Sequence, residues 1–145
     1  MKTNNKGFSL VELIVVIAIM AILAAVAIPT FATFIGKAQQ ASDCDFMAQA
    51  KTAVELAYAT DADFDSTNFA VTLKDGKASQ VTCGGEVIKA TYKGQTVGTK
   101  VGDVELTQKM IDAANVIDWN YEFKSVKADG DYVVDETAKE IKSAP

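Results

Sequence analysis

From Phe8 to Ile28 the chain runs through 21 residues of which only Ser9 and Glu12 are neither apolar nor small. At about 1.5 Å rise per residue, a helix of that length covers about 31 Å, the hydrocarbon thickness of a bilayer. The segment is therefore long and apolar enough to cross a membrane. Lys2 and Lys6 stand immediately before it, and the positive-inside tendency places the N-terminus in the cytoplasm and the remainder outside.

This run also inflates the apolar fraction of 49%. Everything after Gly36 is a more polar domain of roughly a hundred residues that must supply its own core. Of the 19 acidic residues only Glu12 precedes Gly36, so the distal part sets 12 lysines against 18 carboxylates. An acidic domain argues against nucleic-acid binding, which needs a basic surface to neutralise phosphates. There is no histidine and no arginine, which removes the commonest general base and the usual fork for phosphate or carboxylate. No nucleophile motif, phosphate loop or zinc spacing occurs either. The chain reads as a non-enzyme that calls for no cofactor.

Two fates are open to the apolar run. Ala25-Val26-Ala27 fits the small-x-small site of the common signal peptidase, which would release a soluble domain beginning at Ile28. The run exceeds the usual 7 to 15 or so apolar residues of a secretory signal, however. It also contains Glu12, which costs about 2.5 to 3.5 kcal/mol if held at the bilayer centre. A carboxylate in hydrocarbon needs a partner. Cleavage after Gly7 would create one, because the new α-amine of Phe8 would lie four residues from Glu12.

The stretch Lys6-Gly7-Phe8-Ser9-Leu10-Val11-Glu12, the short basic leader, the apolar run and the following Pro29 together resemble the N-terminus of a type IV pilin precursor. The resemblance covers about the first 60 residues. It implies that prepilin peptidase cuts after Gly7 and methylates the amine of Phe8, and that Glu12 meets the amine of an adjacent subunit during assembly. It implies a homopolymer whose helices form the filament core, with prepilin peptidase, a membrane assembly platform and minor pilins as partners. The expected course is from the cytoplasmic membrane to an extracellular filament. On this reading residues 1–7 are leader, 8–36 the transmembrane and filament-core helix, and 37–145 the globular domain.

Ala18, Ala21, Ala24, Ala25 and Ala27 suit close helix–helix approach in a membrane. Pro29 removes a donor and crowds the carbonyl of Ala25, so a kink is expected there, with Gly36 as a second flexible point. Residues 37–60 continue as an amphipathic helix half, with Ala38, Ala41, Phe46, Ala50, Ala53, Val54, Ala57 and Tyr58 at three- and four-residue steps. Strands are expected at 69–73 and 78–83 around the Asp75-Gly76 hairpin signal, and at 86–92, 119–127 and 132–134. In the fourth, Trp119, Tyr121 and Phe123 share one face. A short helix is expected over 107–115. The fold class is α+β: a long N-terminal helix, half transmembrane and half amphipathic, packed on a small antiparallel sheet of four or five strands within 69–134.

Cys44 and Cys83 are the only thiols. In an oxidising setting they form a disulfide candidate, with buried free cysteine as the alternative; many pilins bridge cysteines nearer the C-terminus. Asp61, Asp63 and Asp65 with Asn68 begin like a calcium loop, but Ser66 and Thr72 stand where glycine and the bidentate glutamate belong. Asp129, Asp131, Asp135 and Glu136 form a second acidic cluster. A solvated acidic loop is the default reading of both groups, with calcium the weaker alternative and no metal expected. The alternatives to a pilus subunit are a pseudopilin of a type II secretion or competence system, and a monomeric single-span anchor for an extracellular binding domain.

Overall fold

The computed structural model describes residues 7–135 and 140–145. Lys2, Lys6 and Glu136 lie outside the described residues. The first helix, α1, runs Leu10–Ala57, and the chain divides into two compact units, one ending at Lys37 and the other starting at Ala38.

In the first unit, α1 begins directly after Ser9, whose hydroxyl accepts the Val11 N–H at 3.3 Å while the Glu12 carboxylate accepts the Ser9 N–H at 2.9 Å. This reciprocal pair is a capping box, and it closes two first-turn donors that would otherwise stay open. Pro29 and Gly36 both lie inside α1. Just past the proline, the Thr30 hydroxyl donates to the carbonyls of Val26 and Ala27, and Thr33 donates to that of Pro29. Hydroxyls that bond back to the preceding turn satisfy carbonyls locally where a proline has disturbed the ladder.

In the second unit, Phe46, Met47, Ala50, Ala53 and Val54 of α1 are buried, at the spacing of one helix face. The sheet they face is five-stranded and wholly antiparallel, in the order β3-β2-β1-β6-β7. Its strands are β1 Ala70–Lys74, β2 Lys77–Cys83, β3 Glu86–Lys89, β6 Gly130–Asp135 and β7 Glu140–Ser143. Between β3 and β6 come a 3-10 turn at Ala90–Tyr92, a small ribbon of β4 Lys100–Val101 and β5 Val104–Glu105, and the helix α2 Gln108–Val116. Thr107 caps α2 by accepting the Met110 N–H.

Burial alternates along β1, with Val71 and Leu73 inward, as a half-buried strand requires. Val81 and Ile88 continue that buried face on β2 and β3, and Ile141 does so on β7. The Asp75-Gly76 signal becomes a two-residue hairpin, both residues at positive φ (53° and 74°) with Lys74 paired to Lys77. That is the turn whose twist matches its strands.

Gly84 and Gly85 make the second two-residue hairpin, at φ 58° and 86°. A Cβ on Gly84 would collide with the carbonyl oxygen of Asp65, whereas one on Gly85 meets nothing within 4 Å. Gly84→Ala is therefore expected to cost roughly 3 kcal/mol, the left-handed penalty plus displacement of the 65–67 backbone, and Gly85→Ala about 1 kcal/mol. Chemical denaturation of the two variants side by side checks this; equal losses would mean that close packing at Gly84 contributes nothing.

Several sequence expectations change. No strand spans 119–127: an isolated bridge joins Lys77 to Glu122, while Trp119 and Phe123 are buried and Tyr121 half-buried. The alternation reports real burial, but the backbone finds other partners, described below. β3 ends at Lys89 because the chain turns into the 3-10 segment, and the sheet reaches beyond 134 to β7. The helix stops at Ala57, and Ala38 and Ala41 are exposed, so the buried stripe begins only at Asp43.

Candidate assembly site

The first half of α1 is apolar all round and has no burial in this chain: Phe8 is 90% exposed and the large side chains from Leu10 to Ile35 are all exposed. A helix of this kind requires an apolar surrounding, whether lipid or other helices. Glu12 is the acidic residue of its first turn. Among the hydrogen bonds of the described residues, its carboxylate engages the Ser9 N–H, one residue beyond Phe8. The carboxylate thus already points toward the end of the helix where a cut after Gly7 would place an amine, and it lies near the positive pole of the helix dipole. No side chain would meet a Cβ at Gly7 within 4 Å, so its backbone is open on that side.

The sequence did not single out Asp43. It is fully buried on α1, and its carboxylate accepts hydrogen bonds from the Tyr121 hydroxyl at 2.7 Å, the Lys124 N–H at 3.0 Å, the Ser125 N–H at 2.7 Å and the Ser125 hydroxyl at 2.6 Å. Ser42 shares a hydrogen bond of 2.8 Å with the same tyrosine hydroxyl. The Tyr121 ring stacks on Phe46 with centroids 4.5 Å apart, and Phe123 meets both rings edge-on. Burial pushes the Tyr121 phenol up to about 12, with the neighbouring Asp43 charge adding to it. The one available signal was Asp43's position three and four residues before Phe46 and Met47, which puts a charge on the apolar stripe.

The remaining candidates stay apart. Asp61 pairs with Lys109 beside Tyr58, whose own hydroxyl donates to Glu86 at 3.2 Å. Burial raises the Tyr58 phenol well above its ordinary range, and the Glu86 carboxylate raises it further. Asp65 accepts from the Thr67 N–H and hydroxyl, Asp129 from the Asp75 N–H, and Asp131 from the Thr72 hydroxyl at 2.6 Å. Asp63 is exposed, and Asp135 pairs with Lys142 at 2.5 Å. Asp65 ties a local turn and Asp131 and Asp135 tie neighbouring strands, whereas Asp61, Glu86 and Asp129 join segments distant in sequence, and among the described residues no three His, Cys, Asp or Glu side chains gather as a metal site.

Cys44 is half-buried and Cys83 buried, both as thiols. Burial raises the Cys83 thiol above its usual range, with the Glu55 charge adding to it.

A long helix whose apolar first half is unburied and long enough to cross a membrane, followed by a small antiparallel sheet, defines the class as α+β. Residues 2–28 match the family model of the prokaryotic N-terminal methylation motif. The chain thus carries the leader signature of type IV pilins, on the helix-then-sheet architecture that the signature leads one to expect, and it points to a structural subunit rather than an enzyme. Nothing matches the chain among curated proteins or among solved structures.

Proposed function

We propose that this protein is the subunit of a type IV pilus, inserted with its N-terminus in the cytoplasm, cut after Gly7, methylated on Phe8 and polymerised through α1. The observation that carries the reading is the methylation motif over residues 2–28, whose part from Leu10 onward lies on a helix with its apolar surface unburied around one carboxylate, Glu12. In the polymer the Phe8 amine of one copy meets the Glu12 carboxylate of the next, and the pairing offsets the cost of both charges in an apolar core. The apolar helices then cover one another, assisted by the small residues between Ala18 and Ala27. Further copies of the chain, prepilin peptidase, a membrane assembly platform and minor pilins are the partners of this reading. Adhesion, motility or DNA uptake would be properties of the finished filament.

The intact mass and N-terminal sequence of the mature protein test the route. The expected product begins with N-methylated Phe8. A product beginning at Ile28 would mean ordinary secretion, and an uncut chain would mean a single-span anchor, each of which overturns the proposal. A pseudopilin of a secretion or competence system shares the same processing. Surface filaments of pilus length built from this chain separate the two.

A further inference from the structure

Residues 120–127 lie between the buried Trp119 and the start of β6, and they belong to no strand. Their link to the sheet edge is the bridge of Glu122 to Lys77 and the Phe123 N–H bonded to the Gly76 carbonyl at 2.9 Å. The next two amides, of Lys124 and Ser125, go instead to the Asp43 carboxylate of α1, as do the hydroxyls of Tyr121 and Ser125. Four donors from one short segment thus converge on a single side chain 78 to 82 residues earlier in the chain. Inward, Tyr121 and Phe123 cover the Phe46 ring; outward, Asn120, Glu122 and Lys124 are exposed.

A buried carboxylate satisfied by several donors holds strongly, but the hold is concentrated: removing it leaves buried donors unpaired at once. The ladders β3-β2-β1 and β1-β6-β7 place none of their pairs in this segment. Opening it therefore breaks the carboxylate cluster, the Ser42–Tyr121 bond, the contacts of Tyr121 and Phe123 with Phe46, the Phe123 N–H bond to Gly76 and the single Glu122–Lys77 bridge, and leaves every pair of the two ladders in place, the arrangement that yields a separate, lower-energy opening unit.

We propose that residues 120–127 are a releasable strap and that Asp43 is its clasp. The strap opens and recloses independently of the sheet, and each opening bares the Phe46 face of α1. Held by hydrogen bonds rather than a covalent link, it can do so without any bond being cut. This inference does not depend on the filament reading.

Native-state hydrogen exchange of the full chain in detergent micelles, across a guanidinium series, tests it. In the unaltered protein the amides of Phe123, Lys124 and Ser125 are expected to exchange through an opening that appears below the denaturant range at which β2 and β6 amides exchange. Asp43→Asn should speed those three amides roughly ten- to a hundredfold, as expected for lost hydrogen bonds to a charged acceptor, while sheet amides change less than about twofold. Ser125→Ala should give a smaller acceleration in the same place. Equal acceleration of strap and sheet would overturn the proposal, as would unchanged exchange at residues 124 and 125. Should Asp43→Asn fail to fold, the unaltered protein decides alone: strap amides that exchange only with global unfolding would sink the strap.

Discussion

Glu12→Ala is expected to insert into the membrane as well as the unaltered chain, to be cut and methylated, and to yield no filaments. Insertion becomes easier, because a carboxylate within the apolar segment is unfavourable by up to about 3.5 kcal/mol depending on depth. Assembly loses the group that would meet the Phe8 amine of a neighbour, leaving that amine unpaired in an apolar core. The alanine variant also loses the Ser9 N–H···Glu12 bond seen here, so loss of filaments alone would not separate a missing charge from a frayed helix end.

Glu12→Gln resolves the ambiguity. Glutamine serves in a capping box as glutamate does, so it keeps the helix start while removing the charge. If charge pairing drives polymerisation, the glutamine variant fails like the alanine one; if it assembles, Glu12 matters as a cap and the pairing mechanism is wrong. Normal filaments from Glu12→Ala would sink the pairing mechanism outright. Filament yield by electron microscopy and membrane-fraction immunoblots read both outcomes.

The sequence made some of this structure legible and hid the rest for physical reasons. The long helix was readable because an uninterrupted apolar run leaves few other folds, and the Asp75-Gly76 hairpin because its turn geometry demands those residue types. Both signals are local. β7 was missed because Glu140, Lys142 and Ser143 flank a single apolar residue, Ile141, so an edge strand covered on one face gives almost no pattern. The ribbon of β4 and β5 has two residues per strand and is too short for any periodicity.

Residues 119–127 show the opposite failure. Their alternation was real, but alternation records which side chains are buried, not which groups the amides bond to. Here the answer sat at Asp43, some eighty residues away, where only the folded chain brings the two together. The proposed processing residues Gly7 and Phe8, with Glu12, form a local sequence pattern and could be named from sequence; the Asp43 cluster joins two distant segments and could not.

Met47→Ala should lower the stability of the folded domain by about 2 to 5 kcal/mol, while Leu56→Ala on the same helix should change it by less than about 0.5 kcal/mol. The two residues look alike in sequence, both large, unbranched at Cβ and helix-favouring. In the structure Met47 is 0% exposed within the core and Leu56 is 73% exposed. Truncating Met47 removes its transfer free energy and leaves a void that the rigid helix–sheet layers close only in part. Truncating Leu56 removes surface that was already in water. For a domain of this size the first change corresponds to a fall of at least about 10 °C in melting temperature, and the second to a shift of a few degrees at most. Thermal unfolding of the full chain in micelles, followed by Trp119 fluorescence, separates them. A melting point untouched by Met47→Ala would mean that α1 is not seated on the sheet through this face, and comparable losses at both sites would mean that Leu56 is covered in the assembled protein.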